Sequence, residues 1–147
     1  YIIVEADGAA HRSLKAPNAT EPVIPANTSL VIPTVGIDAI GCRLAEDDVF
    51  RPEIVSRLLG LPLGDTISTK AIAALIAHPQ GIIKGSPARA RIIPFLNKVD
   101  LADGLTKGRD LARRILQMGH PQMERVVLGQ AQLPRTVVEV IHRSVKG

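Results

Sequence analysis

The feature that most restricts this chain is the apolar run Ile92-Ile93-Pro94-Phe95-Leu96, which passes straight into Asn97-Lys98-Val99-Asp100. An apolar run this short, bounded by polar residues, suits a strand buried on both faces, and such strands belong to parallel α/β sheets. Polar residues directly after it stand at its carboxyl end, where open α/β sheets take their ligands. Guanine presents two adjacent donors, N1–H and N2–H2, and a single carboxylate can accept from both; Asp100 is the candidate acceptor. Lys98 would lay its aliphatic stem along the base, and Asn97 would tie the loop to neighbouring backbone and to the oxygen edge of the base. The same four residues also fit a plain polar turn in which Asn97 and Asp100 cap the following segment.

The rest of the chain repeats the strand-then-helix rhythm. Tyr1–Val4, Leu30–Val35, Arg91–Leu96 and Arg125–Leu128 read as strands. A helix is expected to open at Pro52 and close at Gly60, and a second to be capped by Ser68 and stop before His78-Pro79. Leu58, Leu59, Ile72, Leu75 and Ile76 should be their buried faces. A third, from about Thr106 to Met118, ends at Gly119 with Leu111, Ile115 and Met118 inward. A last amphipathic helix is expected over Pro134 to Val145, although Val137, Val138, Val140 and Ile141 are β-branched. The segment His11 to Asn27, with Pro17, Pro22 and Pro25, reads as a surface loop. The stretch between the second and third strands is long for a crossover, so residues 44–90 are expected to form a helical insert or lid. The pattern predicts one α/β domain over residues 1–147, with a mostly parallel sheet and flanking helices. Because the chain starts inside an apolar run, an amino-terminally truncated domain is expected.

Composition removes several classes of function. Aromatic residues make up only 2% of the chain, so the platforms on which single-stranded nucleic acids stack are missing. The net charge of +4 is scattered, with Arg89/Arg91 and Arg113/Arg114 the densest groups, and nucleic acid is not an expected partner. Cys42 is the only cysteine, which rules out an intrachain disulfide and a thiolate metal cluster and fits a reducing, cytoplasmic setting. No apolar stretch is long enough to span a bilayer, so no membrane partner is expected. His11, His78, His120 and His142 are too dispersed to specify a metal site.

Glu5-Ala6-Asp7-Gly8 follows the first apolar run. In GTPases the strand bearing the metal-side acid ends Asp-x-x-Gly, the acid holding Mg2+ through water and the glycine amide approaching the terminal phosphate. Here the string is Glu-x-x-Gly: Glu5 would hold Mg2+, or alternatively Asp7, with Gly8 on the phosphate side. Arg12 and Lys15, just beyond, would neutralise phosphate charge, or a partner's acidic face, or serve as solvated surface. A hydrogen-bonded turn is the plain alternative for the whole string. Arg51 and Lys84 flank the insert, placed to close over a ligand. With Asp38 after the second strand, the predicted ligand edge collects Glu5, Asp7, Asp38 and Asp100. The phosphate cradle Gly-x-x-x-x-Gly-Lys-Ser/Thr occurs nowhere in the chain.

Taken in order, Val-Glu-Ala-Asp-Gly, Leu-Lys-Ala-Pro, Glu-Pro-Val-Ile-Pro, Arg-Pro-Glu, His-Pro-Gln-Gly-Ile-Ile-Lys-Gly and Leu-Asn-Lys-Val-Asp make the chain resemble the YqeC family from Val4 to about Gln130. That resemblance implies a P-loop NTPase-like fold of the metallochaperone GTPase type and an accessory role in maturing selenium-dependent molybdenum hydroxylases. It implies GTP with Mg2+ as ligand and a molybdenum hydroxylase, or its maturation machinery, as protein client. Family members carry an amino-terminal phosphate loop that this sequence lacks, so NTPase activity is expected only with that loop present. The other expectation is a non-catalytic interaction module built on a GTPase-like scaffold.

Overall fold

The computed structural model describes residues 2–144. Two apolar runs pair in constant register. Strands β2 (Leu30–Val31) and β5 (Arg91–Ile92) are parallel, and so are β3 (Thr34–Gly36) and β6 (Phe95–Asn97). Leu30 faces Arg91, and beyond the break Thr34 faces Phe95, so Pro33 lies level with Pro94. Proline has no N–H to give to a ladder, and each run expected as one strand is cut in two at its proline. The proline carbonyls still accept: Phe95 N–H donates to Pro33 O and Val127 N–H to Pro94 O, both at 2.9 Å.

Strand β7 (Arg125–Gly129) lies parallel to β6, and β8 (Val137–His142) runs antiparallel to β7, giving the order β3-β6-β7-β8. A separate parallel pair joins β1 (Leu14–Lys15) to β4 (Val49–Phe50). The chain is thus α/β with small sheets, parallel apart from the β7/β8 hairpin and one antiparallel bridge, Arg43 to Thr66.

The three α-helices among the described residues follow local end signals. Helix α1 (Pro52–Leu59) has its proline in the first turn and closes at Gly60 in the left-handed region. Helix α2 (Thr69–Ala77) is capped by Ser68, whose hydroxyl accepts the Ala71 N–H. Helix α3 (Gly104–Gln117) packs on the sheet and on α2. Ile72, Leu75 and Ile76 of α2 and Leu111, Ile115 and Leu116 of α3 share one buried cluster with Val35, Leu96, Val126 and Leu128 of the sheet. The helices of the insert are therefore part of the core, not a lid above it.

Several expectations are corrected. Ile2, Ile3 and Val4 form no strand and are exposed, since among the described residues no neighbouring strand supplies ladder partners; Tyr1 lies outside the described residues. The final segment is strand β8, because its β-branched residues pair with β7 along a ladder from Arg125–His142 to Gly129–Val137; Val145 lies outside the described residues. The Pro-rich stretch is not wholly surface: Leu14, Lys15, Ala16 and Pro17 are buried. Met118 is exposed, and in α1 the deeper residues are Ile54 and Val55, with Leu58 and Leu59 half-buried.

Candidate functional site

The register of β3 against β6 builds the site. Gly36 is paired with Asn97, so the loops leaving these two parallel strands emerge side by side. That brings Asp38 to Lys98: Lys98 Nζ donates to Asp38 Oδ2 and to Ser13 Oγ, each at 2.7 Å. Lys98 has φ +69°, a left-handed backbone uncommon for a residue with a side chain; its ammonium is anchored at both partners. Gly36 N–H donates to Ser13 O at 2.9 Å, fixing Ser13 against the end of β3. Only glycine fits there, because a Cβ on Gly36 would lie 2.6 Å from Ser13 Oγ and against Asp38 Oδ1.

Burial raises the Asp38 carboxyl, but the Lys98 hydrogen bond and charge, with the Ser13 hydroxyl close by, outweigh it and leave its pKa below the ordinary value. Asp38 Oδ1 is buried with no hydrogen-bond partner. These residues open into a cleft of about 180 Å3 lined also by Arg12, Cys42, Asp47 and Asp48. Burial, Asp48 and Asp38 all push the Cys42 thiol up, and it donates to Asp38 O; this is the opposite of an activated nucleophile.

The Asn97–Asp100 loop is tied to the end of β7. Asn97 Oδ1 accepts the Ala131 N–H at 2.9 Å, and Val99 N–H donates to Gly129 O at 3.1 Å. Val99 is buried beneath the loop, while Asp100 is exposed.

The other predicted residues sit in a different cluster. Lys15 is only 8% exposed, and its ammonium is ringed by oxygens: an Asp7 carboxylate, Gly8 O at 2.6 Å and Glu21 Oε2 at 3.2 Å. Glu21 is also held by Arg51, whose guanidinium lies 4.5 Å from the centre of the Phe50 ring. The Arg51 hydrogen bond, with help from Lys15, brings Glu21 down to about 2, while burial raises Asp7 in spite of its Lys15 partner. Arg12 donates to Glu46 O at 3.0 Å, and Lys84 to the carbonyls of Asn18 and Ala19.

Glu5 is exposed and takes no part in this ring. As arranged, these donors do not fit Mg2+: an ammonium already fills the space between Asp7 and Glu21, and among the described residues no group of three or more His, Cys, Asp or Glu is gathered to hold a metal ion. The edge predicted to collect four acids thus brings together Asp38 and the Asn97–Asp100 loop, but not Glu5 or Asp7. Ser13, Glu21 and Ala131 carried no sequence signal of their own; the Gly36–Asn97 register was the feature that could have found the Asp38–Lys98 pair. Among the described residues no helix is long and apolar enough to cross a membrane.

Comparison with known proteins agrees with the resemblance carried by the sequence strings. A family model described as YqeC protein matches residues 1–53. The chain is 30% identical over 131 residues to "Uncharacterized protein YqeC" of Escherichia coli (strain K12), a match covering 89% of this chain and 50% of that relative. It therefore spans about half the length of the curated relative it matches. No solved structure matches the chain. By the family model and this relative together, the chain belongs to the YqeC family.

Proposed function

We propose that this chain carries the base-reading part of a guanine-nucleotide-dependent accessory factor, with a P-loop NTPase-like fold, that serves the maturation of selenium-dependent molybdenum hydroxylases. The supporting observation is the Asn97–Asp100 loop: it stands at the carboxyl end of a parallel strand, is tied to the next loop through Asn97 and Ala131, and leaves Asp100 exposed. In this reading Asp100 accepts N1–H and N2–H2 of guanine, the Lys98 stem lies along the base, and Asn97 holds the loop shape. The reading uses no Mg2+ step. The client enters only through the family resemblance.

The test is a 15N-NMR titration of the chain with GMP and AMP. GMP should move the amides of Lys98, Val99, Asp100 and Ala131 selectively, and Asp100→Asn should weaken GMP binding by about 2 kcal/mol. Equal responses to the two nucleotides would overturn the reading.

The Lys15 ring favours a second reading. Residues on the predicted phosphate side are already satisfied within the protein, as suits a scaffold that works through protein contacts. Absence of any response to either nucleotide is the outcome that selects it.

A further inference from the structure

We infer that Asp38 and Ser13 are positioning residues of the proposed guanine site, acting through Lys98 to hold its stem across the carboxyl edge of β3 and β6. The inference rests on the reading of the Asn97–Asp100 loop given above.

A free lysine side chain samples many rotamers, and ordering it to flank a base costs binding free energy. Here that ordering is in place before any ligand arrives. Lys98 Nζ is clamped at 2.7 Å by both Asp38 Oδ2 and Ser13 Oγ, although the Lys98 and Asp38 side chains remain 41% and 36% exposed. The clamp is itself held on both sides. Ser13 is fixed by its backbone bond from Gly36, and Asp38 lies in the one-turn 3-10 helix Ile37–Ala39 that follows β3, between two buried neighbours. The left-handed backbone at Lys98 and the bare Cα at Gly36 are the two local requirements for this approach. Because Gly36 and Asn97 are paired in the ladder, the distance between Asp38 and Lys98 follows from the sheet itself and not from a flexible loop.

The alternative chemistry for a serine beside a lysine is a nucleophile with its base. The hydrogen bonds argue against it, because Lys98 Nζ donates to Ser13 Oγ and to Asp38 Oδ2, each at 2.7 Å, whereas a base would accept from the hydroxyl. The same carboxylate is what a positioning role requires.

The experiment compares GMP and AMP binding by the unmodified chain with Ser13→Ala, Asp38→Ala and Asp38→Asn. Each alanine variant should weaken GMP about tenfold and leave the weak AMP response unchanged. Asp38→Asn, which still accepts a hydrogen bond from Lys98, should fall between. The ratio of the two nucleotides separates positioning from a general loss of structure, which would lower both. If Asp38→Ala does not fold, Ser13→Ala, which removes a single hydroxyl, decides the matter. Guanine preference equal to the unmodified chain in the folded variants overturns the positioning role alone. A chain that never prefers GMP overturns the guanine reading and this inference with it.

Discussion

Lys15 and Lys98 are both gripped by carboxylates, yet the Lys15 side chain is 9% exposed and that of Lys98 41%. The partners of Lys15 come from its own stretch of chain, eight residues or fewer away, and Arg51 completes the set from beyond β4. The carboxylate partner of Lys98 comes from the 3-10 turn that follows β3, sixty residues away. In the first region the charges satisfy one another around a buried ammonium, so the cluster holds the Asp7–Gly8 turn. In the second the pair is half in water at a sheet edge, beside an exposed Asp100. Equivalent chemistry is thus enclosed by the protein at Lys15 and left open to solvent at Lys98.

The sharpest way to break this contrast is to remove each ammonium in turn. Lys15→Met should cost about 3 kcal/mol, because it leaves the Asp7 carboxylate in a partly buried site without its ammonium partner, while Glu21 keeps Arg51. Lys98→Met should cost under about 1 kcal/mol, the usual worth of an exposed pair. Equal losses by urea denaturation would mean that burial does not separate the two regions.

Gly36→Ala comes next, with an expected loss of about 2 kcal/mol from overpacking, since the new Cβ would press on Ser13 and Asp38. It should also separate Asp38 from Lys98 and bring the Asp38 carboxyl nearer its ordinary value in an NMR titration. An unchanged unfolding midpoint and titration would remove the steric argument for glycine.

The smallest expected effect sharpens the Lys15 region through pH. Glu21 is held at about 2 against an ordinary 4.5, so its stabilising contribution is complete above 4.5 and is lost as pH falls through 2. Asp7 runs the other way: burial raises it, so protonation on acidification offsets part of that loss. Arg51→Gln should return Glu21 toward 4.5 and flatten the acid-side fall in stability. A Glu21 titration that is the same with and without the Arg51 guanidinium would show that this contact does not set its value.

How much of this was legible differs by element. Pro52 with Gly60, and Ser68 ahead of an apolar face, marked α1 and α2 closely, because caps and helix formers act within a single turn. The apolar run before Asn97 marked β6 and its loop. The last segment was misread because its amphipathic spacing suits a helix, while its β-branched residues suit a strand; the ladder offered by β7 decided for the strand. Ile2 to Val4 were misread in the opposite direction, since an apolar run becomes a strand only where a neighbour accepts its hydrogen bonds. For Lys15 the sequence leaves a phosphate-side cation, a contact to a partner's acidic face and solvated surface all open, because nothing local reveals that Glu21 and Asp7 turn toward it.

By itself the sequence determined the helix ends, the strand-and-loop unit carrying Asn97 to Asp100, and the α/β class, because these depend on residues within a few positions of one another. Only the tertiary structure decided that Asp38 meets Lys98, that Asn97 ties to Ala131, and that Lys15 is spent inside the protein. The Asp38 and Asn97 contacts depend on strand register, which is settled by segments distant in the chain, and the Lys15 ring on how its own stretch folds back and is buried; neither leaves a local spacing to read.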